Sequence, residues 1–256
     1  PTTPLGRRRK SAEDWRLGSP PIDAVGRAPY IWRAADPSTG IGPSMTVATD
    51  QPLDLERFAA TPVDAEPFPH VIVPGFLKPS ATAAINADFP RIEKPGSFPS
   101  SELDFGPAFA RLLDAFHQPE VTEAFAAKFG VDLSDHPVMI TVRGRCRAKD
   151  GQIHTDSKTK IITVLLYMNA SWEAPGGQLR LLRSADDLED MAAEVPPQEG
   201  TLLAFLNGPT AWHGHKPFEG ERRTIQVNWV ADSGVVAREQ ARHRLSARLK
   251  RLNPFA

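Results

Sequence analysis

Residues 152–169, QIHTDSKTKIITVLLYMN, place His154 and Asp156 two positions apart, follow them with a short polar break, and then run into a stretch of Ile, Val and Leu that ends on Tyr167. In extended chain, residues i and i+2 point to the same face. An imidazole and a carboxylate at this spacing therefore converge on one point while Thr155 points away. The run that follows has strand character, and so do VMITVRGR (138–145), GQIHTD (151–156), GQLRLL (177–182), TLLAFL (201–206) and RTIQVNWV (223–230), separated by Gly, Pro, Asp and Asn clusters. Between these runs there are no helices long enough to serve as crossovers. The pattern predicts an antiparallel barrel or sandwich in place of a parallel sheet.

Outward from this core, FPHVIVPGFL (68–77) alternates and then stops at Pro-Gly, reading as a strand that enters a turn. Three helical stretches follow: ATAAINADF (81–89) behind Pro79 and Ser80, ELDFGPAFARLLDAF (102–116), and PEVTEAFAAKFG (119–130) closed by Gly130. They are expected to support the sheet from outside. Residues 1–60 are rich in Pro, Gly and Arg and show no sustained period, so they are read as a disordered or loosely packed arm. Met45, inside that arm, is an expected initiation site. Residues 61–232 are assigned to the catalytic unit and 233–256 to a basic C-terminal helix, with Ala241, Leu245, Leu249 and Leu252 as its apolar stripe.

Composition narrows the function classes. The 256 residues are 41% hydrophobic and 24% charged, which fits an ordinary globular chain with a real core. The formal net charge of −1 gives no global field that would favour nucleic acid or an anionic membrane. One cysteine, Cys146, excludes an intrachain disulfide and a thiolate zinc site. Without an apolar run of about 20 residues, the chain is expected to be soluble and cytoplasmic, with no membrane partner. Oligomeric state is not legible in the sequence.

His154 and Asp156 with a distant histidine make the 2-His-1-carboxylate set of non-heme iron(II), which leaves coordination positions open for a bidentate 2-oxo acid and dioxygen. His213 and His215 both qualify as the third ligand, since period two puts them on one face. A carboxylate co-substrate calls for arginine, whose planar fork gives two parallel hydrogen bonds. Arg222 and Arg223 compete for that role on opposite faces of the last strand. Arg222 shares its face with Thr224, Gln226 and Asn228, and Arg223 shares the other with Ile225, Val227 and Trp229. A polar interior around a carboxylate favours the first set, with Arg223 as the alternative.

Several motifs occur together and in order: FPHVIVPGFL, QIHTDSKTK, VLLYMNASWEAPGGQLRLL, EVPPQEGTLLAFL and WHGHKPFEGERRTIQVNWV. From Pro67 to about Val230 the chain resembles the prolyl-4-hydroxylase-like superfamily of 2-oxoglutarate/iron(II)-dependent oxygenases. The resemblance implies a mainly β fold with flanking helices, the double-stranded β-helix, a jelly-roll, cupin-like barrel. It implies Fe(2+) held by His154, Asp156 and His213, the last favoured over His215 because the family places a proline four positions on, here Pro217. Tyr167 stands where some members hydrogen-bond the far carboxylate of 2-oxoglutarate, and Arg222-Arg223-Thr224 resembles the pattern in which a hydroxyl assists the arginine. The implied chemistry is hydroxylation driven by 2-oxoglutarate and O2, with ascorbate as a stimulatory reductant. A carboxylate at 156 favours it over halogenation. A peptidyl side chain is the first expected substrate and a small metabolite the second. The rival is a cupin-like barrel that binds a metal or ligand without turnover.

Overall fold

The computed structural model describes residues 51–238 and 241. The arm as far as residue 50, the start at Met45, and the basic helix beyond 238 other than 241 lie outside the described residues. Among the described residues no helix is long and apolar enough to cross a membrane.

Ordered structure begins before the expected boundary at 61. Helix α1 (Leu55–Ala60) is capped by Asp54, whose carboxylate accepts from the Arg57 backbone N–H at 2.8 Å. Leu53 and Phe58 are fully buried, and Phe58 sits 4.4 Å from Phe125, centroid to centroid. This difference has a simple cause. Six helical residues are too few to display a period, yet one aromatic can anchor them.

Strand β1 (His70–Val73) leads through a turn at Gly75 to α2 (Pro79–Ala87), which starts on proline at its first position, where the missing N–H costs nothing. A two-residue strand β2 (Phe98–Pro99) and a 3-10 turn (Ser100–Glu102) come next. The helix expected from 102 starts at Pro107 as α3 (Pro107–Ala115). Its first turn is set by Gly106 and by the Asp88 carboxylate, which accepts from the Ala108 N–H at 2.6 Å. Helix α4 (Pro119–Phe129) ends on Gly130 in the left-handed region (φ 65°), as its sequence predicts.

The remaining strands are β3 (Val138–Cys146), β4 (Lys160–Tyr167), β5 (Leu179–Leu182), β6 (Met191–Val195), β7 (Leu202–Leu206), β8 (His213–Gly214) and β9 (Gly220–Val230). They form a six-stranded antiparallel sheet, β1-β7-β4-β9-β3-β2, and a three-stranded sheet, β6-β5-β8, to which His154 adds an isolated bridge with His213. From β3 onward the chain passes from the large sheet to the small one and back, with β5 and β6 consecutive in the small sheet. This alternation is the winding of a double-stranded β-helix.

Side-chain parity divides the interior. Ile162, Val164, Leu166, Leu202, Ala204, Ile225, Val227 and Trp229 face outward from the large sheet and join Phe58, Phe109, Leu112 and Phe125 of the helices in one core. Tyr167, Leu203 and Phe205 face the other way and pack with Leu179, Leu181 and Val195 of the small sheet. The period of two thus gives the large sheet two buried faces. At one end of the inner layer the apolar residues give way to polar ones.

Two strand readings change. GQIHTD is not a strand: only His154 pairs, and Asp156 lies outside any element. Strand β6 was not among the strands read from sequence, because Ala192, Ala193 and Glu194 have little β-propensity and it is held by pairing with β5.

Candidate active site

His154 and His213 are brought together by a reciprocal pair of backbone hydrogen bonds, each 3.0 Å, which sets their ring centroids 4.3 Å apart. Each ring is oriented through its Nδ1, which donates to the carbonyl of Gln152 (2.8 Å) in one case and of Ala211 (2.9 Å) in the other. That choice of tautomer leaves both Nε2 lone pairs free. Asp156 is steered by side chains instead of strand geometry. Its Oδ2 accepts from Thr163 Oγ1 at 2.5 Å, and its Oδ1 pairs with Lys160 Nζ at 2.7 Å. One donor atom from each of His154, Asp156 and His213 lies within 4.8 Å of the others, so these three could hold one metal ion. His215 is outside that group. It is buried nearby, with Nδ1 donating to the Lys216 carbonyl at 2.8 Å.

The electrostatics suit a cation. Burial would raise the Asp156 carboxyl, but Lys160 and His213 more than offset this and keep it below its usual range. Burial and the neighbouring His154 bring His213 down to about 4, so its imidazole is neutral and free to ligate at neutral pH. His215 also falls to about 4, through burial and the charge of Arg222.

These residues open onto a cavity of about 170 Å³ whose walls also include Leu165, Leu179, Arg222, Thr224 and Gln226. Arg222 is buried on the inner face of β9. Its Nε donates to the Gly177 carbonyl at 2.8 Å and its Nη1 to Thr224 Oγ1 at 3.3 Å. Its Nη2 has no partner, and neither has the hydroxyl of Tyr167, whose ring centroid lies 5.3 Å from the guanidinium carbon. Of the two, Arg222 lines the cavity, where its buried guanidinium suits a carboxylate, and Tyr167 packs behind it. Arg223 points to the opposite side. Its Nε meets Glu221 at 2.6 Å and its guanidinium covers Phe89, so it does not reach the cavity.

Residues 144–231 match the family model described as the 2OG-Fe(II) oxygenase superfamily. That match spans His154, Asp156, His213 and Arg222. The match supports 2-oxoglutarate-dependent dioxygenase chemistry, with Fe(2+), 2-oxoglutarate and O2 as the cofactor set. The residues present fit that set: two imidazoles and a carboxylate for the metal, and a buried arginine whose Nη2 has no partner for an oxo acid. No curated protein sequence matches. Solved structures that the chain resembles include a Pseudomonas putida prolyl-4-hydroxylase (19% identity, 69% of this chain and 90% of that one, TM-score 0.48). Another is the viral collagen prolyl hydroxylase of Paramecium bursaria Chlorella virus-1 in complex with 2OG (17%, 63% and 96%, TM-score 0.44). A third is a 2OG-Fe(II) oxygenase family oxidoreductase from Burkholderia pseudomallei (13%, 69% and 91%, TM-score 0.45).

Sequence reasoning missed Lys160 and Thr163, which orient Asp156; Thr163 Oγ1 lies 3.1 Å from the Oδ1 of Asn228, on the polar face of β9. A signal for Thr163 was available. It shares parity with Tyr167 on β4 and so had to face inward with it.

Proposed function

We propose that the chain couples oxidative decarboxylation of 2-oxoglutarate to hydroxylation of a substrate C–H bond, with His154, Asp156 and His213 as the iron ligands. Arg222, assisted by Thr224 and Tyr167, holds the far carboxylate of 2-oxoglutarate. The balance is 2-oxoglutarate plus O2 plus R–H giving succinate, CO2 and R–OH; one oxygen atom enters succinate and the other the product. When bound, iron supplies the redox chemistry that activates O2.

The protein's own contribution is placement. Backbone carbonyls fix both imidazoles with Nε2 exposed, and Thr163 turns the Asp156 carboxylate toward them. Arg222 is itself locked by Gly177 and Thr224, so little side-chain freedom remains to be lost when a carboxylate arrives. Leu165 and Leu179 line the same cavity and make part of its wall apolar. The observation that carries this reading is the pairing of a three-ligand group with a buried arginine, Arg222, that lines the same cavity and has a donor without a partner. A peptidyl side chain is the first substrate proposed and a small metabolite the second.

The test is 2-oxoglutarate consumption. Purified protein given Fe(2+), O2 and ascorbate should form succinate slowly even without substrate, and His154→Ala, Asp156→Ala and His213→Ala should each abolish this while remaining folded. Succinate formation that survives Asp156→Ala would overturn the assignment.

A further inference from the structure

Across the cavity mouth stands a second cationic group that the reaction above does not use. Arg143 extends inward from β3, in register with Thr224 of β9, and lines the same cavity as the three candidate ligands. Its guanidinium is held in place. Nη1 meets Asp150 Oδ2 at 3.1 Å and Cys146 Sγ at 3.7 Å, and Nη2 donates to Ser97 Oγ at 3.3 Å. Of the five N–H donors of an arginine, those contacts engage three. Asp150 is shared: Arg147 Nη2 lies 3.3 Å from its Oδ1, and the Arg147 backbone N–H donates to Oδ2 at 3.1 Å. One carboxylate therefore serves two guanidinium groups. Burial would raise the Asp150 carboxyl, but the Arg147 N–H bond and both arginine charges hold it low, so it stays ionised and offsets a single positive charge.

The loaded site keeps an excess of positive charge. Fe(2+) and dianionic 2-oxoglutarate cancel, Asp156 balances Lys160, and Asp150 balances one of Arg143 and Arg147. The charge of Arg222 and that of the second arginine remain. His215, packed flat over Gly151 where the backbone is left-handed (φ 84°), adds an Nε2 acceptor on the same wall, since its Nδ1 is committed to the Lys216 carbonyl. Wall and charge together describe a receptor for an acid group that also carries a hydrogen-bond donor.

We infer that the substrate is anionic and that Arg143, braced by Asp150 and Ser97, is its carboxylate-binding residue. The inference rests on the proposed placement of 2-oxoglutarate at Arg222. An acid on a free small molecule and an acidic side chain in a peptide present the same chemistry, and the test includes both.

Protein loaded with Fe(2+) and saturating 2-oxoglutarate under argon is titrated calorimetrically with two matched pairs. One is N-acetyl-leucine against its primary amide; the other is a blocked alanine tripeptide with central glutamate against the same peptide with central glutamine. The acid of at least one pair should bind about tenfold or more tightly than its amide, the range expected for a charge-assisted hydrogen bond in a half-buried site. Which pair responds identifies the source of the acid. Arg143→Gln should erase the preference and Arg143→Lys should keep part of it, both with an unchanged dissociation constant for 2-oxoglutarate and a melting temperature near wild type. Equal or absent binding of acid and amide by the wild type overturns the inference, even if Arg143→Gln proves unstable. So does a preference that survives in Arg143→Gln, or a loss of 2-oxoglutarate affinity in that variant, which would assign Arg143 to the co-substrate. Failure of 2-oxoglutarate to bind the wild type at all would instead defeat the proposed function.

Discussion

With Arg222 as the proposed anchor, truncating it would leave the far carboxylate of 2-oxoglutarate desolvated and without its cation. For a buried charge pair such a loss is about 2–5 kcal/mol, a rise in dissociation constant of roughly thirtyfold or more. Arg223→Ala should change the constant little, since its guanidinium is engaged by Glu221 and Phe89 outside the cavity. Thr224→Val removes one acceptor from Arg222 and should show a smaller defect in the same direction. Titration of 2-oxoglutarate into the iron-loaded anaerobic protein, followed by its visible charge-transfer band, measures all three. A second prediction concerns protons. His213 and His215 are buried with folded values of about 4 against 6.5 for the free side chain. The unfolded chain therefore binds more protons between these values, and stability of the metal-free protein should fall as pH drops from 6.5 toward 4. The limit is on the order of 3 kcal/mol for each histidine. Urea unfolding across that window should show the slope, and His215→Gln should reduce it; a flat profile would contradict the neutral, buried assignment of both rings.

At the scale of elements, α1 carries the test of how the helices brace the large sheet. Phe58 is packed against Phe76 and Phe125, and Phe125 in turn lies 4.7 Å from Trp229 of β9. Phe58→Ala should cost about 3–5 kcal/mol in chemical denaturation, with the iron and 2-oxoglutarate dissociation constants near wild type. A loss below 1 kcal/mol would mean that the helix is peripheral. The strands that carry apolar residues on a period of two, β3, β4, β7 and β9, were legible in the sequence. So was the parity of β9, because a polar face at 222, 224, 226 and 228 can be buried only around a polar site. Strand β6 was not legible, because its stability comes from its partner. Nor was the true geometry at Asp156, which depends on Thr163 and Lys160 meeting it from β4 and not on a strand of its own.

For the whole molecule, two facing sheets make the inner layer, helices cover the outer face of the large sheet, and the site sits where the inner layer turns polar. The described core starts by Leu53, so we propose that the catalytic unit begins near 51 and that the Pro-, Gly- and Arg-rich segment before it is dispensable. Deleting 1–44 should leave succinate formation and melting temperature nearly unchanged, whereas deletion through 60 removes Phe58 and should destabilise the protein as Phe58→Ala does; a clear drop in melting temperature for the shorter deletion would contradict this. The central claim is that His154, Asp156 and His213 hold a single iron. It is tested most directly by anaerobic calorimetric titration of Fe(2+) into the metal-free wild type and its His154→Ala, Asp156→Ala, His213→Ala and His215→Ala variants. One equivalent should bind to the wild type and to His215→Ala, with strong weakening in the other three. Wild-type affinity in Asp156→Ala, or loss in His215→Ala with His213→Ala unaffected, would contradict it.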